Sequence, residues 1–189
     1  MILPIYLYGH PVLRTPTELV TPDYPGLAEL IANMKETMYA SDGIGIAAPQ
    51  VGVSLRLVYI DVDVLSEDLP ELKDVRMVLI NPEITIDESV PTTSREEGCL
   101  SVPGIHESVA RHEKIHLKWT DENWQTHEQD FEGYLARVIQ HECDHLFQIV
   151  FVDRISPIRK QLVRAKLNNI VKGNVNCSYR TRAYSKTKR

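Results

Sequence analysis

Hydrophobic and polar positions recur along the chain with two periods, and those periods mark out its elements. Leu27, Leu30, Ile31, Met34 and Met38 fall at helical spacing over residues 27–40, behind the turn-forming Asp23-Tyr-Pro-Gly. A Gly-rich stretch, Asp42 to Gly52, follows. Runs rich in Val and Ile, Leu55 to Val62 and Arg76 to Ile86, predict two strands. Asp87 to Gly104, with its Ser, Thr and Pro, predicts an irregular segment, whereas Lys114 to Trp119 alternates as a half-buried strand does. Leu135, Val138, Ile139 and Leu146 predict a long buried helix from about Phe131 to Phe147. Ser156-Pro157 suits the N-cap and first turn of a last helix, which Gly173 ends. The pattern predicts an α+β chain: one domain with antiparallel or mixed sheets around a central helix, closed by a C-terminal helix.

Composition narrows the class. At 189 residues the chain suits a single core that needs no disulfide or metal merely to stay folded. With 43% hydrophobic and 25% charged residues it is not a disordered chain. No apolar run approaches the ~18 residues of a membrane span. The N-terminus lacks a basic n-region and carries Pro4 and Pro11, so it predicts no secretory leader. Cys99, Cys143 and Cys177 form no disulfide framework. The expectation is a cytoplasmic protein with reduced thiols and no membrane partner. Charge is distributed unevenly. Eleven of the 21 Lys/Arg lie between Arg154 and Arg189, with none of the 26 Asp/Glu. Such an end is either a docking surface for a polyanion or a solvated helix face with a frayed terminus.

The strongest chemical signal is His141-Glu-Cys-Asp-His145 inside the predicted central helix. Residues i and i+4 share a helix face, so the two imidazoles can converge on one metal ion, with Glu142 beside them as a general base. Three polar side chains in an apolar helix would cost several kcal/mol of desolvation without partners. A catalytic metal needs a third protein ligand and an open position. No Glu or His follows His145, and Phe151 stands where a third histidine of an H-E-x-x-H-x-x-G-x-x-H pattern would be. The ligand is therefore sought upstream. Cys99, in Glu96-Glu-Gly-Cys-Leu-Ser-Val-Pro-Gly104, is the best candidate, against the alternative of a small buried hydrophobe.

Three segments in order, Gly43-Ile-Gly-Ile-Ala-Ala-Pro-Gln50, Glu97-Gly-Cys-Leu-Ser101 and Gln140-His-Glu-Cys-Asp-His145, resemble the signature motifs of peptide deformylases. The similarity runs from about Tyr8 to Ser156. It implies a catalytic domain over residues 1–172, with 173–189 as a basic tail. It also implies a hydrolase that removes the N-formyl group from the initiator methionine of nascent proteins and releases formate. The metal ligands would be Cys99, His141 and His145, and the acid–base Glu142. The Gln50 side chain and the Leu100 backbone N–H would hold the developing oxyanion. Fe²⁺ would be the ion, with Zn²⁺, Ni²⁺ or Co²⁺ able to take its place. Gly45 would pair with the substrate backbone, while Ile44, Tyr134 and Val138 would form the methionine pocket, with core packing as the plainer reading. Some family members dock on the ribosome by a basic C-terminal helix, a role open to Arg159, Lys160, Arg164 and Lys166. One departure is Ile46, where leucine is commoner. The stretch from Val171 onward has no counterpart in the resemblance.

Other residues read as supporting. Glu97 is expected to pair with Arg111 and fix Cys99, or else to form a surface pair. Arg137 is expected either to cover the pocket with its stem or to be solvated. Cys143 points to another face than the histidines, and His10, His106, His112, His116 and His127 lack ligand spacing, although His106 follows the Cys99 loop. Gly43 and Gly45 fit no phosphate-loop pattern. A metallopeptidase would lack its downstream ligand. A binding module with structural zinc would want a fourth ligand and would leave Glu142 without a purpose.

Overall fold

The computed structural model describes residues 1–184; the end of the expected basic tail, 185–189, lies outside the described residues. Nine strands and three α-helices are present among the described residues. The first elements are β1 (Ile5–Tyr6), α1 (Leu27–Ala40), β2 (Gly45–Ala47), β3 (Leu57–Asp61) and β4 (Arg76–Thr85). A hairpin of β5 (Thr92–Glu97) and β6 (Glu107–His112) follows, then β7 (Lys114–Thr120), β8 (Thr126–Glu132), α2 (Gly133–Leu146), α3 (Pro157–Val171) and β9 (Thr181–Arg182). The main sheet is antiparallel throughout, in the order β2-β3-β4-β7-β8. β5 and β6 form a separate pair, and β9 adds to β1 in parallel.

The central strand explains why the sheet is covered on both sides. β3 reads Leu-Val-Tyr-Ile-Asp with every residue buried. Val58 and Ile60 pack in one cluster with Ile139, Cys143 and Leu146 of α2. Leu57 and Tyr59 pack in another with Met34 and Met38 of α1. Alternate side chains thus face opposite helices, which is why the strand is apolar at both registers. A third cluster joins Val163, Leu167 and Ile170 of α3 to Val109 of β6 and to Val102 and Ile105. Within β4, Pro82 has no N–H for the ladder, and the register with β7 shifts between Ile80 and Glu83.

The three α-helices and the runs at 57–61, 76–85 and 114–120 lie where the sequence pattern predicts them. The segment from Asp87 to Gly104 does not stay irregular: Thr92–Glu97 pairs residue for residue with β6. Its sequence, TTSREE, holds no apolar residue, and the side chain it buries is Glu97. In β6 the inward positions are Glu107, Val109 and Arg111. Strands that bury charge do not alternate in hydrophobicity, so the pattern misses them. The predicted start of the central helix also moves. Phe131 belongs to β8, and α2 begins at Gly133, whose φ of +64° is the left-handed conformation glycine allows. Among the described residues no helix is long and apolar enough to cross a membrane.

Candidate active site

The centre is built where α2 meets the turn that leaves β5. His141 and His145, one helical turn apart, place their rings 5.5 Å from centroid to centroid. The turn at 98–101 brings Cys99 Sγ to 3.4 Å from His145 Nε2. One donor atom from each of Cys99, His141 and His145 lies within 4.8 Å of the others, and among the described residues no fourth His, Cys, Asp or Glu joins them. A cavity of about 410 Å³ opens beside them, lined by Cys99, His141 and Glu142 and by Gln50, Gly45 and Leu100. The sulfur predicted from mid-chain and the two imidazoles therefore stand together beside open space.

The surroundings fit a divalent cation. Glu97 Oε2 bonds His141 Nδ1 at 2.8 Å, which leaves the Nε2 of that ring as its free donor. Burial opposes a charge on His141, yet the adjacent Cys99 and Glu97 raise it to about 10. Burial, and then the charge on His141, hold His145 well below the usual histidine range, leaving it a neutral imidazole. One sulfur and two imidazoles suit Zn²⁺ or Fe²⁺.

Glu97 anchors more than one histidine. It accepts from Arg111 through two bonds of 2.6 and 2.9 Å and from Arg137 Nη1 at 2.8 Å. Burial alone would raise its carboxyl, but the bonds from His141 and Arg111 hold it down at about 2. Arg111 continues to Asp144 at 2.9 Å, and Arg154 donates to the same carboxylate. The expected Glu97–Arg111 pair is therefore a buried network rather than a surface contact. Arg137 is not solvated: it lines the cavity, is only 4% exposed and also donates to the Val109 and Thr93 carbonyls. Periodicity had no means of finding this, because the partners lie on strands that themselves escape prediction.

Glu142 is buried, and its Oε2 has no hydrogen-bond partner. Burial pushes its carboxyl up to about 7. Its side chain lies over the bare Cα of Gly45, where an added Cβ would stand 2.5 Å from Oε1. Gly45 lies on β2, whose far edge carries no neighbour in the described sheet. Gln50 is only 2% exposed. Its Oε1 accepts from the Ala47 N–H at 2.8 Å, which turns Nε2 toward Cys99 Sγ and Ser101 Oγ, each at 3.4 Å. The Leu100 N–H meets no backbone acceptor among the described residues. Ile44, Tyr134 and Val138 line the cavity while packing against the core.

Three features were not foreseen. Asp144, inside the helix motif, is held by two arginines. Asn176 to Tyr179, from the expected tail, line the cavity. On α3, Arg159 is paired with buried Glu107 and Lys160 with Asp153, whereas Arg164 and Lys166 make no ion pair among the described residues. Cys143 is buried as expected, and His106 reaches the cavity.

A Cys/His/His donor set with a buried carboxyl and an open cavity is the equipment of a metal-dependent hydrolase. The family model for polypeptide deformylase matches residues 2–161. A peptide deformylase of Christiangramia forsetii is 46% identical over 96% of both chains, and one of Salinibacter ruber is 45% identical over 95% of this chain and 93% of its own. The crystal structure of a peptide deformylase from Thermus thermophilus superposes with a TM-score of 0.80 at 40% identity, covering 92% of this chain and 99% of that one. A peptide deformylase from Synechococcus elongatus, solved with actinonin, gives 0.74 at 37% identity over 90% and 85%. The chain belongs to the polypeptide deformylase family, metal-dependent hydrolases that remove the N-formyl group from nascent peptides.

Proposed function

We propose that Cys99, His141 and His145 hold one divalent ion, Fe²⁺ in the cell and replaceable by Zn²⁺, Ni²⁺ or Co²⁺, and that Glu142, Gln50 and Leu100 carry out the deformylation of N-formylmethionyl chains. When bound, the ion supplies Lewis acidity, making water a nucleophile near neutral pH and polarising the formyl carbonyl. Glu142 takes the proton of the attacking water and passes it to the leaving amine as the C–N bond breaks and formate forms. Gln50 Nε2 and the Leu100 N–H donate to the formyl oxygen as charge develops there, each worth about 2.7–4 kcal/mol. The free edge of β2 at Gly45 suits pairing with an extended peptide, and Ile44, Tyr134 and Val138 take the methionine side chain.

The convergence of Cys99 with both histidines beside a buried, unpaired Glu142 carries this reading. The enzyme acts in the cytoplasm, through a catalytic domain of residues 1–172. Arg164 and Lys166, the cations of α3 without ion-pair partners among the described residues, meet the ribosome together with the basic tail at 173–189. Anaerobic formate release from an N-formylmethionyl peptide tests the chemistry. Wild type should release formate and Glu142→Ala should not, although its metal content stays equal; equal rates would refute the assignment. Ribosome pelleting unchanged by charge reversal at Arg164 and Lys166 and by deletion of 173–189 would refute the docking.

A further inference from the structure

The segment after α3 returns to the cleft, and three observations show how it is held. Arg180 and Arg182 carbonyls accept from the Ile5 and Leu7 N–H groups at 2.8 and 2.9 Å, so β9 is fastened to β1. Tyr179 is half-buried against the apolar cluster on the α1 side of the sheet. Its hydroxyl donates to the Leu100 carbonyl at 2.8 Å. Between these anchors and the helix, Asn176, Cys177 and Ser178 line the same cavity as Cys99 and His141. The whole segment lies beyond residues 2–161, the part matched by the family model.

The contact with Leu100 matters because of peptide geometry. A trans peptide points its N–H and C=O in opposite directions. The Cys99 carbonyl is tied inward by the Val102 N–H at 2.8 Å, so the N–H of the same peptide, that of Leu100, is turned away from this tie. The next peptide plane is fixed on one side by Tyr179 at the Leu100 carbonyl and beyond it by the Tyr8 N–H on the Ser101 carbonyl at 2.8 Å. Without the phenol, the Leu100 carbonyl loses this tie and the turn gains freedom to rock.

The geometry points to the segment from Asn174 to Arg182 as a wall of the substrate cleft, in which Tyr179 is a positioning residue for the Leu100 backbone and Asn176 to Ser178 meet the peptide beyond the formylated methionine. This rests on the assignment of the Leu100 N–H as an oxyanion donor. Ile44, Tyr134 and Val138 line the same cavity as the returning segment, so a chain leaving the methionine pocket has polar, exposed Asn176 and Ser178 within its reach.

Steady-state kinetics on the metal-loaded enzyme test it. Tyr179→Phe should lower kcat about three- to tenfold, the effect of one lost hydrogen bond, with KM, metal content and Tm held. The double variant Asn176→Ala with Ser178→Ala should raise KM for a formylmethionyl tripeptide about threefold or more and leave that for formylmethionine amide unchanged. Wild-type kcat in Tyr179→Phe, or a loss matched by loss of metal or fold, overturns the positioning role. An equal KM change on both substrates, or none, overturns the wall. Gln50→Ala run in parallel separates the two levels: if it keeps full activity, the oxyanion reading itself fails, and if it alone loses activity, only the present inference fails.

Discussion

Replacing Gly45 with alanine should disable the enzyme while leaving its fold and metal in place. The backbone at Gly45 does not need glycine for its dihedral angles, because φ is not positive there. What it needs is space. A Cβ would stand 2.5 Å from Glu142 Oε1 and 2.7 Å from both Cδ and Cγ. Ordinary contact begins near 3.4 Å, so the carboxyl must retreat by about 0.9 Å. Buried on a helix that packs against the sheet, it can retreat only toward the cavity it lines, which takes it off its place over Gly45. A displacement of about 1 Å in a reacting group can cost 10²-fold in rate, or about 2.7 kcal/mol of barrier. Overpacking should cost only about 1–3 kcal/mol of stability. The assay is anaerobic formate release with metal content and Tm measured on the same sample. The expectation is a kcat about a hundredfold lower at full metal occupancy. A kcat within threefold of wild type would refute the argument that Gly45 makes room for Glu142, and loss of the metal would relocate the damage to the ligands.

The remaining predictions follow from the same contacts. Glu97→Ala leaves Arg111 and Arg137 short of a buried counter-charge and His141 unoriented, so Tm should fall by roughly 10 °C (about 3–5 kcal/mol) and metal affinity by about 10–100-fold; a shift under 2 °C with unchanged affinity would contradict the network. His116, bonded to Asp130 and Glu128 on the exposed face of β7 and β8, should titrate above the ordinary histidine value of 6.5. The stabilisation from this raised group is complete below 6.5 and lost as pH rises through the folded pKa; an NMR midpoint at or below 6.5, in wild type or unchanged by Asp130→Asn, would be inconsistent with it. If the ion is Fe²⁺ beside a thiolate, activity should decay faster in air than under nitrogen while circular dichroism stays constant, and equal half-lives would argue for another metal.

What the sequence made legible was whatever repeats at a helical or strand period, or concentrates chemistry in a short motif. The helices at 27–40 and 133–146 and the buried strand at 57–61 bury carbon, so hydrophobic spacing finds them. The histidine pair is visible because one helical turn sets its spacing, and Cys99 because no Glu or His follows His145. Thr92–Glu97 and Glu107–His112 escaped because their inward positions hold Glu97, Glu107 and Arg111. Those side chains are buried only because partners on other elements satisfy them, and such partnerships have no local signature. The buried partners of Arg137 escaped for the same reason. The return of Asn176 to Tyr179 to the cleft depends on a parallel pairing between the two ends of the chain, which no local pattern records.

X-ray absorption of the metal-loaded protein, measured at the metal edge, tests the coordination sphere most directly. One sulfur and two imidazole nitrogens should appear in wild type, with the sulfur shell vanishing in Cys99→Ser and one imidazole lost in His145→Ala. A spectrum unchanged by Cys99→Ser, or one showing a further protein ligand in place of solvent, would contradict the account.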